Sequence, residues 1–152
     1  MKVKFKFGIK TFSGTAEEMT YGSYAKNTLC LGRQYVKPML TANNAHMGAI
    51  GKNLASVFRA ANAAYVNDFK TYATRYSKQH FAWGKKSPTA FTLFVRMMWA
   101  WAATDPTHID LTAITVADIV TRDADVRTVK RAIDASYLLV VNPYNDLTSD
   151  IQ

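Results

Sequence analysis

Hydrophobic and polar positions change their period once along the chain. In "KVKFKFGIK", residues 2 to 10, Val3, Phe5, Phe7 and Ile9 alternate with Lys2, Lys4, Lys6 and Lys10, the period of two expected of a half-buried strand. "SGT" at 13 to 15 reads as a turn. "MTYGSYA" and "TLCLGRQYV", separated by Lys26 and Asn27, read as two further strands, so the first 38 residues predict an antiparallel β-meander that ends at Pro38.

Beyond Pro38 the period becomes helical. Thr41 stands at an N-cap position, and Met47, Ile50, Leu54, Val57, Phe58 and Ala61 follow at helical spacing. Gly48, Gly51 and Ala55 leave that helix short of side-chain bulk, through either a close backbone approach or a weak helix. Tyr65, Phe69, Tyr72 and Tyr76 form an i, i+4, i+7, i+11 stripe on a second helix, for which Asn62 is a candidate cap. After the basic connector "YSKQHFAWGKKSP", Ser87 and Pro88 predict the start of a third helix that runs to Ala103 and is stopped by "TDP". Its bulky side chains point in all directions, so most of its faces should be buried.

Thr115 and Asp118 form a capping box ahead of "VADIVT". Asp125 then reads as the cap of a helix that carries Val126, Val129, Ile133 and Tyr137 on one face and Arg127, Lys130, Arg131 and Asp134 on the other. "LLVVNPYNDLTSDIQ" begins strand-like and turns polar after Pro143, reading as a tail to be ordered by a neighbour. The expectation is one α+β domain over residues 1 to 152. Its parts are the N-terminal antiparallel β-meander (1 to 38), a three-helix core (41 to 103), short helices (104 to 141) and a tail (142 to 152), with about five helices in all.

Composition narrows the class. With 152 residues, 49% of them hydrophobic, the chain is long enough for one substantial core. The single Cys30 excludes an intrachain disulfide and suits a reducing compartment. No secretory leader is expected, because the N-terminal stretch alternates where a leader would be continuously apolar. "PTAFTLFVRMMWAWAA" is one turn short of the roughly 20 residues a bilayer needs and holds Arg96 near its middle, so a membrane span is not expected.

The formal net charge of +8 conceals a split. Residues 1 to 100 hold fifteen Lys or Arg against Glu17, Glu18 and Asp68; residues 101 to 152 hold four against eight acids. Such a distribution fits an anionic partner for the basic part, attraction between the two ends within or between subunits, or plain solubilising charge.

Chemistry has little to work with. His46, His80 and His108 lack metal-ligand spacing, and the seven glycines form no phosphate-cradling loop. Cys30 sits between Leu29 and Leu31, where an inert buried thiol belongs. Glu17 with Glu18, and Asp123 with Asp125, read as surface or capping carboxylates rather than an acid/base pair. No catalytic residue, metal or cofactor is expected. Nucleic acid remains open: Lys2, Lys4, Lys6 and Lys10 could follow a phosphate backbone, and Tyr65, Tyr72, Tyr76, Phe81 and Trp83 could stack on bases near Lys70, Arg75, Lys78, Lys85 and Lys86. The same lysines could equally guard a strand edge, and the same rings could be core.

"FGIKTFSGT", "TYGSYAKNTLCLGRQYVKP", "TANNAHMGAIGKNLASV" and "SPTAFTLFV" resemble segments of small proteins encoded by tailed phages and prophages of Bacteroidota. The resemblance covers residues 1 to 100. Tyr35, Val36, Lys37 and Pro38 match as a strand-to-helix corner. It implies a non-enzymatic virion structural protein that acts in particle assembly, at the head-to-tail connector, tail or capsid surface, made in the bacterial cytoplasm and ending in the virion. The expected partners are copies of itself and other virion proteins, without membrane or small-molecule substrate. Arg96, Met97, Met98, Trp99, Trp101 and Tyr144 are the candidate interface residues, since aromatic and Met side chains are enriched at interfaces. The alternative is a basic protein that organises or packages phage DNA, using the lysines and Arg75 named above.

Overall fold

The computed structural model describes residues 1–5, 8–24, 27–34, 36, 39–80 and 87–152. Within these, a four-stranded antiparallel sheet precedes five helices, the α+β class the pattern predicts. The chain separates into two compact units, Met1–Leu40 and Thr41–Gln152.

In the first unit β1 is Lys2–Val3, β2 Gly14–Ala16, β3 Met19–Tyr24 and β4 Leu29–Gln34, in the order β1-β4-β3-β2. β2, β3 and β4 form the meander, while β1 pairs with the far side of β4, Lys2 opposite Leu31 and Val3 opposite Cys30. "SGT" is therefore partly strand, and the β2–β3 turn falls instead at Glu17 and Glu18, with Glu17 at φ 53°. The first strand is shorter than its alternation predicts, and Ile9 is exposed. Gly32 admits the close approach of Val3, Tyr21 and Met19 to the strand, where a β-carbon would meet Val3 at 3.0 Å. Cys30 is buried, and its thiol donates to the Phe12 carbonyl at 3.5 Å.

The second unit holds α1 (Ala42–Ala60), α2 (Ala63–His80), α3 (Ala90–Thr104), α4 (Val116–Thr121) and α5 (Val129–Asp134), with a 3-10 turn at Asp125–Arg127. Thr41 caps α1 through the Asn44 N–H, as its position predicts. Gly48 and Gly51 face open space, which removes the close-approach reading. Asn62 takes the Ala64 N–H at the start of α2. α3 starts two residues later than the Ser87–Pro88 signal: Thr89 is the cap and accepts from the Thr92 N–H. The Thr115–Asp118 capping box is present in full. Thr128, not Asp125, caps α5, and Asp125 instead accepts from Arg131.

The core of this unit joins the α2 stripe, Tyr65, Phe69, Tyr72 and Tyr76, to Leu54 and Val57 of α1 and to Leu93, Phe94, Met97, Met98 and Trp101 of α3. Phe58 touches the rings of Phe69, Phe91 and Phe94 with centroids 4.9 to 6.0 Å apart, edge-on to Phe69 and tilted against the other two, within the separation aromatic pairs prefer. Polar groups tie the later segments to this core. The Asn53 amide donates to the carbonyls of Leu111 and Ile114, the Tyr65 hydroxyl to Val126 and the Tyr72 hydroxyl to Leu139.

The final residues are not a loose tail. Leu147 and Ile151 are buried, and backbone bonds run from Lys130 N–H to Leu147, from Ile151 N–H to Arg127 and from Asn62 N–H to Ile151. Among the described residues, no helix is long and apolar enough to cross a membrane.

Candidate functional site

α3 presents only part of itself. Met97, Met98 and Trp101 are buried in the core of the second unit, which removes them from any surface contact. Trp99 is 39% exposed, on the opposite side of the helix. It shares an apolar groove of about 430 Å³ with Ile50, Ala102, Ala103 and Leu111, and His46 and His108 also line it. Arg96 is exposed and donates to the Tyr76 hydroxyl at 3.3 Å. Tyr144 is half-buried and donates to Asp134 at 3.0 Å, and the neighbouring carboxylate raises its phenol pKa. Of the six candidate interface residues, Arg96 and Trp99 stand on the surface.

The acidic final third is engaged within the subunit. Asp146 takes two hydrogen bonds from Arg75, at 2.6 and 2.7 Å. Asp123 accepts from Arg127 and Arg131, Asp125 from Arg131, and Asp150 from Arg127. Asp105 holds His108 at 2.9 Å, Asp110 accepts from Thr112, Asp118 closes the capping box and Asp134 takes Tyr144. All eight acids of this segment thus have a partner on their own chain. Asp123, Asp125 and Asp150 pair with arginines of the same segment, and among the described residues Asp146 alone draws an arginine, Arg75, from the first hundred residues. The same pairing removes Arg75 from the candidate nucleic-acid residues.

The aromatic rings of α2 are likewise unavailable for stacking. Tyr65, Tyr72 and Tyr76 are buried. Burial, reinforced by Tyr76, pushes Tyr72 up to about 12, and burial with the nearby Asp150 charge raises Tyr65 well above the ordinary phenol. Lys2, Lys4, Lys10, Lys70 and Lys78 are exposed, Lys70 donating to Asn67 at 3.0 Å. Lys6, Phe81, Trp83, Lys85 and Lys86, with Tyr35, Lys37 and Pro38 of the strand-to-helix corner, lie outside the described residues.

Two features escape a reading by spacing alone. One is apolar: Val36, Met39 and Leu40, ahead of α1, are 73, 84 and 82% exposed, and Met47 is 54% exposed. All residues of the first two turns of α1, Ala42 to Ala49, are exposed as well. The other is the division of the sheet into unlike faces. Register places Val3, Met19, Tyr21 and Cys30 on one face, where Phe5 and Phe12 flank Tyr21 at 6.0 and 5.8 Å. The opposite face carries Lys2, Thr15, Thr20, Tyr24, Leu31 and Arg33. Arg33 and Tyr24 are the residues that strand register adds to the lysines visible in the sequence.

Among the described residues, no three His, Cys, Asp or Glu side chains converge as metal ligands. No family model, curated protein or solved structure matches this chain.

Proposed function

We propose that this chain is a non-enzymatic structural subunit of a tailed-phage particle, acting in assembly as an oligomeric component of the head-to-tail connector, tail or capsid surface. The observation that carries the assembly reading is the exposure of three apolar side chains at the end of the first unit, Val36, Met39 and Leu40. Apolar side chains left in water favour association, and Met is adaptable enough to pack against an irregular partner. Trp99 on its groove adds a second apolar surface. The engagement of all eight final-third carboxylates in caps, turns and ion pairs supports structural use of those groups. The phage assignment rests on the resemblance of residues 1 to 100.

Light scattering after size exclusion tests the assembly reading. Oligomers should grow with protein concentration and persist at high salt, because the contact is apolar. Met39→Glu with Leu40→Glu should yield a monomer whose thermal unfolding is unchanged. A wild-type monomer at every concentration, together with absence of the chain from gradient-purified phage particles, would overturn the proposal.

A further inference from the structure

We infer that the polar face of the N-terminal sheet is a binding surface for single-stranded nucleic acid, with Tyr24 as a stacking platform and Lys2, Lys4 and Arg33 as phosphate contacts. This goes beyond an assembly role and stands on charged and aromatic residues which that role does not use, with Val36 alone bordering both surfaces. Lys2 pairs with Leu31 across the β1–β4 ladder, and Arg33 lies two residues further along β4, so both project from the same side. Lys4 continues the alternation of Lys2 and is exposed. Thr20 opposes Arg33, and its hydroxyl lies 3.5 Å from that of Thr15.

Tyr24 gives this face a second character. A β-carbon at Gly22 would come within 2.9 Å of its ring, so the absence of a side chain at 22 lets the phenol lie against the strand. The Arg33 guanidinium donates to its hydroxyl at 2.6 Å, which fixes the ring's edge. Thr20, Tyr21, Gly22, Tyr24, Arg33, Gln34 and Val36 line a hollow of about 420 Å³.

Charge complementarity selects the occupant. Among the described residues, Lys2, Lys4 and Arg33 form no ion pair with a carboxylate, whereas Arg75, Arg127 and Arg131 in the second unit all do. Cations left unneutralised beside a flat ring match the alternation of phosphate and base in a single strand, where each phosphate meets a charge and an unpaired base meets a π-face. A duplex would use the charges and leave the ring idle.

The test is fluorescence anisotropy of a labelled oligothymidylate and of a duplex of equal length, titrated with the whole protein. The single strand should bind more tightly, with log affinity falling against log salt at a slope of about −2 for three phosphate contacts. Tyr24→Leu, which keeps an apolar side chain over Gly22, should weaken binding about tenfold without changing that slope. Lys2→Gln with Lys4→Gln should flatten the slope and, touching only exposed side chains, leave the circular dichroism unchanged. Lys52→Gln in the helical unit should have no effect. Absence of binding at low salt, equal affinity for the duplex, or a loss from Lys52→Gln as large as from Lys2→Gln would overturn the inference. None of these outcomes alters the assembly test.

Discussion

The hydroxyl of Tyr65 donates to the carbonyl of Val126 at 2.7 Å, with both residues fully buried and 61 positions apart. This bond ties α2 to the 3-10 turn and carries the polar end of a core ring into the interior without leaving it unpaired. Tyr65→Phe keeps the ring and strands the carbonyl, which costs about 1–3 kcal/mol. Urea unfolding should show that loss with an unchanged denaturant slope, and full retention of stability would show that the bond carries no weight.

Leu147 and Ile151 should behave as core. Leu147→Ala and Ile151→Ala each remove a side chain buried among its own chain's atoms, a change that costs about 2–5 kcal/mol. Thermal unfolding of the isolated protein is the measurement. Wild-type midpoints in both variants would restore the reading of this segment as a tail awaiting a neighbour.

Met98 and Trp99 are adjacent in sequence and opposite in consequence. Met98→Ala should destabilise by about 2–5 kcal/mol, since its side chain is fully buried in the core. Trp99→Ala should cost under about 1 kcal/mol, as is usual for a surface position, and its effect should appear in oligomer size instead. Comparable destabilisation by the two changes would contradict this division of α3.

Acid should loosen the second unit. Hydrogen bonds from Arg131 and Arg127 hold Asp123 below the usual carboxylate range, and Arg75 does the same for Asp146. At Asp150 burial pulls the pKa up, but the Gln152 N–H and Arg127 outweigh it. Because each folded value lies below the unfolded one, the stabilisation is complete above the unfolded pKa of roughly 3.9 and disappears as pH falls through the folded values. Melting temperature should therefore drop below about pH 4, and Arg75→Gln should make the drop shallower. A pH-independent melting temperature over that range would show that these pairs add nothing.

Alkali tests the tyrosines with the opposite sign. Tyr72, raised to about 12, and Tyr65, raised well above the ordinary phenol by burial, favour the neutral phenol in the folded chain. Their contribution is complete below the unfolded pKa of roughly 10 and is lost as pH rises through the folded values. Ultraviolet difference titration should show these two ionising after the exposed phenols, together with unfolding. Reversible ionisation of every tyrosine near pH 10 would contradict their burial.

The features legible in the sequence are those whose cause is contiguous. A helical stripe such as Tyr65, Phe69, Tyr72 and Tyr76 declares its buried face because the period alone aligns it. Caps at Thr41 and Thr115 are readable because donor and acceptor lie three residues apart. The start of α3 misleads because Ser87 with Pro88 and Thr89 with Thr92 are competing local signals, and the bond made is Thr92 N–H to Thr89. The site was less legible than the fold: Arg33 meets Tyr24 only once the β3–β4 register is known.

Period, caps and hydrophobic content by themselves determined the order of strands and helices, the existence of a helical core and the apolar nature of α3. Tertiary structure alone decided which side of α3 is core, that Asp146 finds Arg75 across 71 residues, and that Leu147 and Ile151 close over their own chain. The reason is range. Local preferences act over a few residues, whereas the direction of an all-round apolar helix and the pairing of distant charges depend on which surfaces meet when the chain collapses.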